Sequence, residues 1–130
     1  MPNTETKKLT PVLLVDEIEP CLPLWVDRLG WTKTVDVPEG DKLGFVILQK
    51  DGAELMYQTW ESVEKDFGKP VRRPQGTSVG LFIEVADLNE VERQLEGVPL
   101  TLARRTTFYG MHEIGITEPG GHMVIFAQPS

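Results

Sequence analysis

Residues 15–31 read VDEIEPCLPLWVDRLGW. Ile18, Leu22, Trp25, Val26 and Leu29 recur at three- and four-residue spacing, which predicts a helix with one apolar face over 18–29. Pro20 suits the first helical turn, where no backbone donor is needed, and Pro23 fits only if it lies there too. Gly30 stops the helix. Just upstream, LTPVLLVD (9–16) is an apolar run of strand length, and Pro11 marks it as an edge strand or a strand start. The same strand-to-helix turn returns 70 residues later, where Val85, Asp87 and Leu88 match Val15, Glu17 and Ile18. There SVGLFIEV (78–85) reads as a strand. Asp87 caps a second helix, with Glu90 three residues on, Leu88, Val91 and Leu95 on one face, and Gly97 at its end.

Three strand candidates follow each helix. In the first half they are WTKTVDV (31–37), KLGFVILQ (42–49) and AELMYQTW (53–60). Asp51-Gly52 joins the last two as a hairpin turn whose residues tolerate positive φ. In the second half they are PLTLARRT (99–106), MHEIGIT (111–117) and HMVIFAQ (122–128), with Pro119-Gly120-Gly121 turning between the last two. A short helix over 61–67 and a proline-rich basic loop over 68–77 connect the halves, and residues 1–8 form a polar tail. The order is βαβββ twice. This is an α+β chain: one domain over 1–130, with modules about 9–60 and 78–128 and a linker over 61–77. A lone module leaves one sheet face bare. Pairing two covers those faces and leaves a concave, partly closed mixed sheet with the helices outside, a natural ligand site.

The 130 residues carry 13 Lys+Arg against 20 Asp+Glu, a formal charge of -7. That balance argues against nucleic acid or an anionic membrane as partner, since both need a basic face. No apolar run is long enough to cross a membrane, and the polar start MPNTETKKLT lacks the apolar core of a secretory signal. The single Cys21 excludes an internal disulfide and any CxxC motif, which fits a reducing, cytoplasmic setting. Cys21 itself reads as structural.

The repeated module and two segments, VDEIEPCLPLWVDRLGW (15–31) and TFYGMHEIGITEPGGHMVIF (107–126), carry a family resemblance. The chain resembles the vicinal-oxygen-chelate superfamily of glyoxalase I, extradiol dioxygenases, fosfomycin resistance enzymes and bleomycin resistance proteins. Its metal-dependent members carry a His or Gln in the first strand, a His in the fifth and a Glu in the last. The matching positions here are Thr10, Gly80 and one near Ile125, and a further carboxylate position falls near Glu54 or Gln58. A hydroxyl is a poor ligand for a divalent ion, and Gly and Ile offer none. The resemblance therefore implies the metal-free, bleomycin-resistance-like branch, which sequesters a ligand, as in antibiotic resistance, without a cofactor. It also implies a homodimer with ligand sites in or beside the subunit interface. The alternative is an enzyme, a glyoxalase-type lyase or isomerase or a dioxygenase, with a non-standard metal site drawing on His112 or His122.

Eight residues are candidates for a ligand site. Glu54, Met56 and Gln58 share one strand face, and their mix of acid, thioether and amide suits a pocket wall. Trp60 at a strand end and Tyr109 at the TTFYG bend are rim aromatics able to stack on a ligand. Phe82 shares a face with Gly80 and Glu84. His112 and Glu113 are adjacent in a strand, so only one of them faces any cup. His122 follows two glycines and is expected at an exposed turn or strand start. The ligand the resemblance implies is a small molecule. The net charge favours a cation over an anion, with Glu54, Glu84 and Glu113 as its partners.

Overall fold

A computed structural model of the chain describes residues 3–74 and 79–130. The elements run β1 (Val12–Val15), a 3₁₀ turn (Glu19–Cys21), a π-helical turn (Pro23–Arg28), β2 (Thr32–Glu39), β3 (Lys42–Lys50), β4 (Ala53–Thr59), α1 (Trp60–Phe67), β5 (Gly80–Glu84), α2 (Leu88–Gln94), β6 (Leu102–Thr106), β7 (Met111–Thr117) and β8 (Met123–Pro129). The α+β chain of two βαβββ modules is what the repeat predicts. Residues 75–78, which include part of the linker and the start of the expected fifth strand, lie outside the described residues.

Each module builds its own four-stranded mixed sheet, in the orders β1-β4-β3-β2 and β5-β8-β7-β6. In both, the strand before the helix pairs parallel with the last strand of its module, and the other pairings are antiparallel. The strand period of two divides each sheet into two faces. Leu13, Val15, Val46, Leu48, Leu55 and Tyr57 of the first sheet point to the helices, as do Ile114, Ile116, Val124 and Phe126 of the second. These side chains join Ile18, Trp25, Leu29, Leu88 and Leu95 in one continuous core. The alternate residues of both sheets therefore point away from that core.

The first helix departs from its expected form. Pro20 and Pro23 each lack the N–H that an α-helical ladder needs, so the segment winds as a tight turn and then widens. Leu29 N–H donates to the Leu24 carbonyl at 3.0 Å, one residue further back than in an α-helix. The apolar stripe survives, with Ile18 and Trp25 fully buried. At α2 the Asp87 side chain accepts from Glu90 N–H at 3.3 Å, as the cap motif requires. Asp51 (φ 48) and Gly52 (φ 84) form the expected hairpin turn.

Candidate functional site

The outward face of the first sheet is organised in rows set by register. Val35, Ile47, Met56 and Val12 form one row, and Val37, Phe45, Gln58 and Leu14 the next. Thr32, Gln49 and Glu54 form a third, polar row. Val12, Val35 and Val37 are each more than 40% exposed: 43%, 42% and 48%. A cavity of about 520 Å³ lies over the polar end, lined by Thr32, Thr34, Gln49, Glu54 and Lys8 among others. Phe82, Ile125, Gly115 and Leu102 form the matching apolar row of the second sheet, with Phe82 exposed, and Glu113 sits beside Ala127 and Arg105 in the next.

Sequence-level pairing of faces places most candidates on these surfaces. Glu54, Met56 and Gln58 share the outward face of β4, and Phe82 and Glu113 lie on that of the second sheet. Because each sheet turns its outward face away from the common core, one chain does not bring the two groups together. His112 belongs to the other face, in a row with Gln128 and Thr106, and its Nδ1 lies 2.9 Å from Thr106 Oγ1. Trp60 opens α1, and the Arg73 guanidinium lies 5.0 Å from its ring centroid, in a position a stacking ligand would take.

Two carboxylates are already neutralised. Glu54 takes the Lys8 ammonium at 2.7 Å, the Gln49 amide at 2.5 Å and the Thr10 hydroxyl at 3.1 Å. Lys8 and Gln49 hold its carboxyl below the usual carboxylate range. Lys8, assigned to the tail by its polar surroundings, thus reaches the candidate site, a contact only tertiary structure supplies. Glu113 is buried, and its Oε1 accepts from Arg105 Nε and Nη2 at 3.0 and 2.9 Å. Its Oε2 accepts from the Tyr109 hydroxyl at 2.8 Å. Of the three glutamates, Glu84 alone has no ion-pair partner among the described residues.

The residues do not fit a divalent metal. The contact between Thr10 and Glu54 confirms that these two positions adjoin, but Gly80 and Ile125 contribute no donor, and a lysine already occupies the carboxylate. No group of three or more His, Cys, Asp or Glu residues is placed to hold an ion among the described residues. His122 corrects the expectation of an exposed turn: it is 7% exposed, and its Nδ1 lies 2.7 Å from Glu118 Oε1. Its backbone N–H also donates to that oxygen at 2.6 Å. Tyr57 donates to Glu118 Oε2 at 2.5 Å and accepts from Trp25 Nε1 at 2.9 Å. Glu118 escaped the sequence reading. Its one signal there was Tyr57, a phenol on a core face that must find a partner.

The paired βαβββ modules define the class: the chain has the fold of the vicinal-oxygen-chelate superfamily. No family model and no curated protein matches the sequence. Among solved structures it resembles a glyoxalase/bleomycin resistance protein/dioxygenase from Nocardioides (15% identity, 98% of this chain and 86% of that one, TM-score 0.73). It also resembles a lactoylglutathione lyase from Agrobacterium tumefaciens (13% identity, 97% and 96%, TM-score 0.74). TioX from Micromonospora is similar too (15% identity, 96% and 100%, TM-score 0.74). At these identities the likeness is one of fold.

Proposed function

We propose that the chain is a metal-independent small-molecule-binding protein, working as a homodimer that sequesters its ligand in the manner of bleomycin resistance proteins. The observation that carries this reading is the state of Glu54: its carboxylate is saturated by Lys8, Gln49 and Thr10, while Gly80 and Ile125 stand where ligating side chains would be needed. The pairing of copies rests on the outward faces. Each is lined with apolar side chains that a lone chain leaves in water, and the first-sheet face of one copy can share a cup with the second-sheet face of the other. Met56, Ile47 and Phe82 supply apolar contact, and Gln58 and Tyr109 supply polar handles. With Glu54 and Glu113 neutralised inside the chain, this cup suits a ligand of low charge.

Metal analysis and native mass spectrometry of protein grown with added Zn, Ni, Mn and Fe test the reading. The expected result is a dimer with metal far below one ion per chain. Stoichiometric metal removed by a Glu54→Gln change would overturn it in favour of the enzymatic alternative.

A further inference from the structure

The two modules meet along an interface whose ends correspond by the 70-residue repeat, yet the ends are built differently. At one end Val15, Asp16, Glu17 and Pro20 face Pro119 and Gly120 of the other module's hairpin turn. At the other end Val85, Ala86, Asp87 and Glu90 face Lys50 and Asp51. The first end is plugged. Its turn is long enough to insert Glu118 against Tyr57, with His122 bonded to Glu118 behind it, leaving a depression of about 280 Å³. Gly120 is so close to Val15 that a Cβ on it would lie 2.7 Å from Val15 Cγ1. The second end has only the two-residue Asp51-Gly52 turn. In register, Phe126 stands where Tyr57 stands in the first module, and it carries no hydroxyl to anchor a polar plug. A cleft of about 480 Å³ is left open there, walled by Leu29, Trp31, Ile83, Val85, Val91 and Phe126.

We propose that this cleft is a second small-molecule site, separate from the outward faces, for a flat aromatic ligand bearing one cationic group. The volume lies within the roughly 300–1,000 Å³ usual for small-molecule pockets, and the wall is apolar with two aromatic rings. The charge at the mouth sets the sign. Lys50 pairs with Asp51 at 3.5 Å, and Arg93 pairs with Glu90. Asp87 remains at the mouth without an ion-pair partner among the described residues, its side chain accepting from Glu90 N–H, whereas Glu84 at the rim belongs by register to the outward face with Ala127 and Glu113. An ammonium held there gains from the Asp87 carboxylate, and an anion is repelled.

Tryptamine is the probe, with neutral tryptophol and anionic indole-3-acetate as its charge controls. Binding is measured by calorimetry and mapped by amide chemical shifts on the full chain. The expected result is saturable tryptamine binding with Kd below about 1 mM and shifts confined to 50–53 and 83–94. Indole-3-acetate binds at least about tenfold more weakly, and Asp87→Asn, which keeps a capping side chain, weakens tryptamine about threefold while leaving tryptophol unchanged. Val91→Trp, on a half-exposed helix position, fills the cleft and removes binding of both. If Val91→Trp does not fold, the Asp87→Asn comparison decides alone. Absence of saturable binding, shifts centred on Ile47 and Met56, or equal binding of the three indoles would overturn the proposal. The metal and dimer tests above can fail without affecting this one.

Discussion

Cys21 and Tyr57 sit in one buried knot with Glu118, and both lose protons reluctantly. Burial and then the Glu118 charge push the Cys21 thiol from 9.0 up to about 12, and the same two causes push the Tyr57 phenol upward. At pH 8 only about one Cys21 in ten thousand would be a thiolate, so a disulfide reagent should leave it untouched until the chain unfolds. Rapid labelling of the native protein would contradict the burial. The pH dependence has a definite sign. Between pH 9 and about 12 the unfolded chain has released the Cys21 proton and the folded chain has kept it, so stability falls as pH rises, by up to about 1.4 kcal/mol per unit. Urea midpoints at pH 8, 9.5 and 10.5 should show the decline, and Cys21→Ala should make it shallower. Tyr57→Phe removes the acceptor of Trp25 Nε1 and one donor to Glu118. Stranding those groups in the core should cost about 1–3 kcal/mol at neutral pH, read by the same titration.

At the scale of elements, what the sequence made legible was what short-range chemistry determines. The Asp51-Gly52 turn and the Asp87 cap lie where their residues place them, because both are fixed within four residues of chain. The first helix shows the limit. Its apolar spacing holds, but spacing does not say how two prolines, three residues apart, redistribute the missing hydrogen bonds. The turn over 118–122 shows another limit. Pro119-Gly120-Gly121 announces a turn, but its role as a plug depends on Val15 and Tyr57, more than 60 residues away. The two turns should therefore respond differently to alanine. At Gly52 the added Cβ meets open space and the cost is that of positive φ, about 1–2 kcal/mol. At Gly120 it meets Val15 Cγ1 at 2.7 Å and Glu118 Oε1 at 2.9 Å, so the plug must shift. Thermal melts should show both losses. Only Gly120→Ala should also speed hydrogen exchange at His122 and Tyr57, and equal exchange in the two variants would deny the turn its plugging role.

For the molecule as a whole, the period-two rule sorted residues onto faces but could not say which faces meet. Glu54, Met56 and Gln58 do share a surface, and so do Phe82 and Glu113. Back-to-back packing through the helices sends those surfaces in different directions, and that packing is a property of the core rather than of any strand. A single chain thus presents two separate outward faces with exposed apolar side chains, the half-sites of the cup proposed above. If two copies complete one another, a charge in the centre of a half-site should separate them. Ile47 lies between Val35 and Met56 in the middle of the first-sheet row, and its side chain takes no part in the shared core. Ile47→Lys would place an ammonium in an apolar interface without a partner, which should weaken dimerisation at least about a hundredfold. Light scattering across a dilution series should then show monomers with an unchanged circular dichroism spectrum. The same variant separates the two ligand sites. Binding in the cup needs both copies and should disappear with the dimer, whereas tryptamine in the inter-module cleft contacts one chain and should persist. A variant that stays dimeric would show that the copies meet elsewhere, and the outward faces would then need a different occupant.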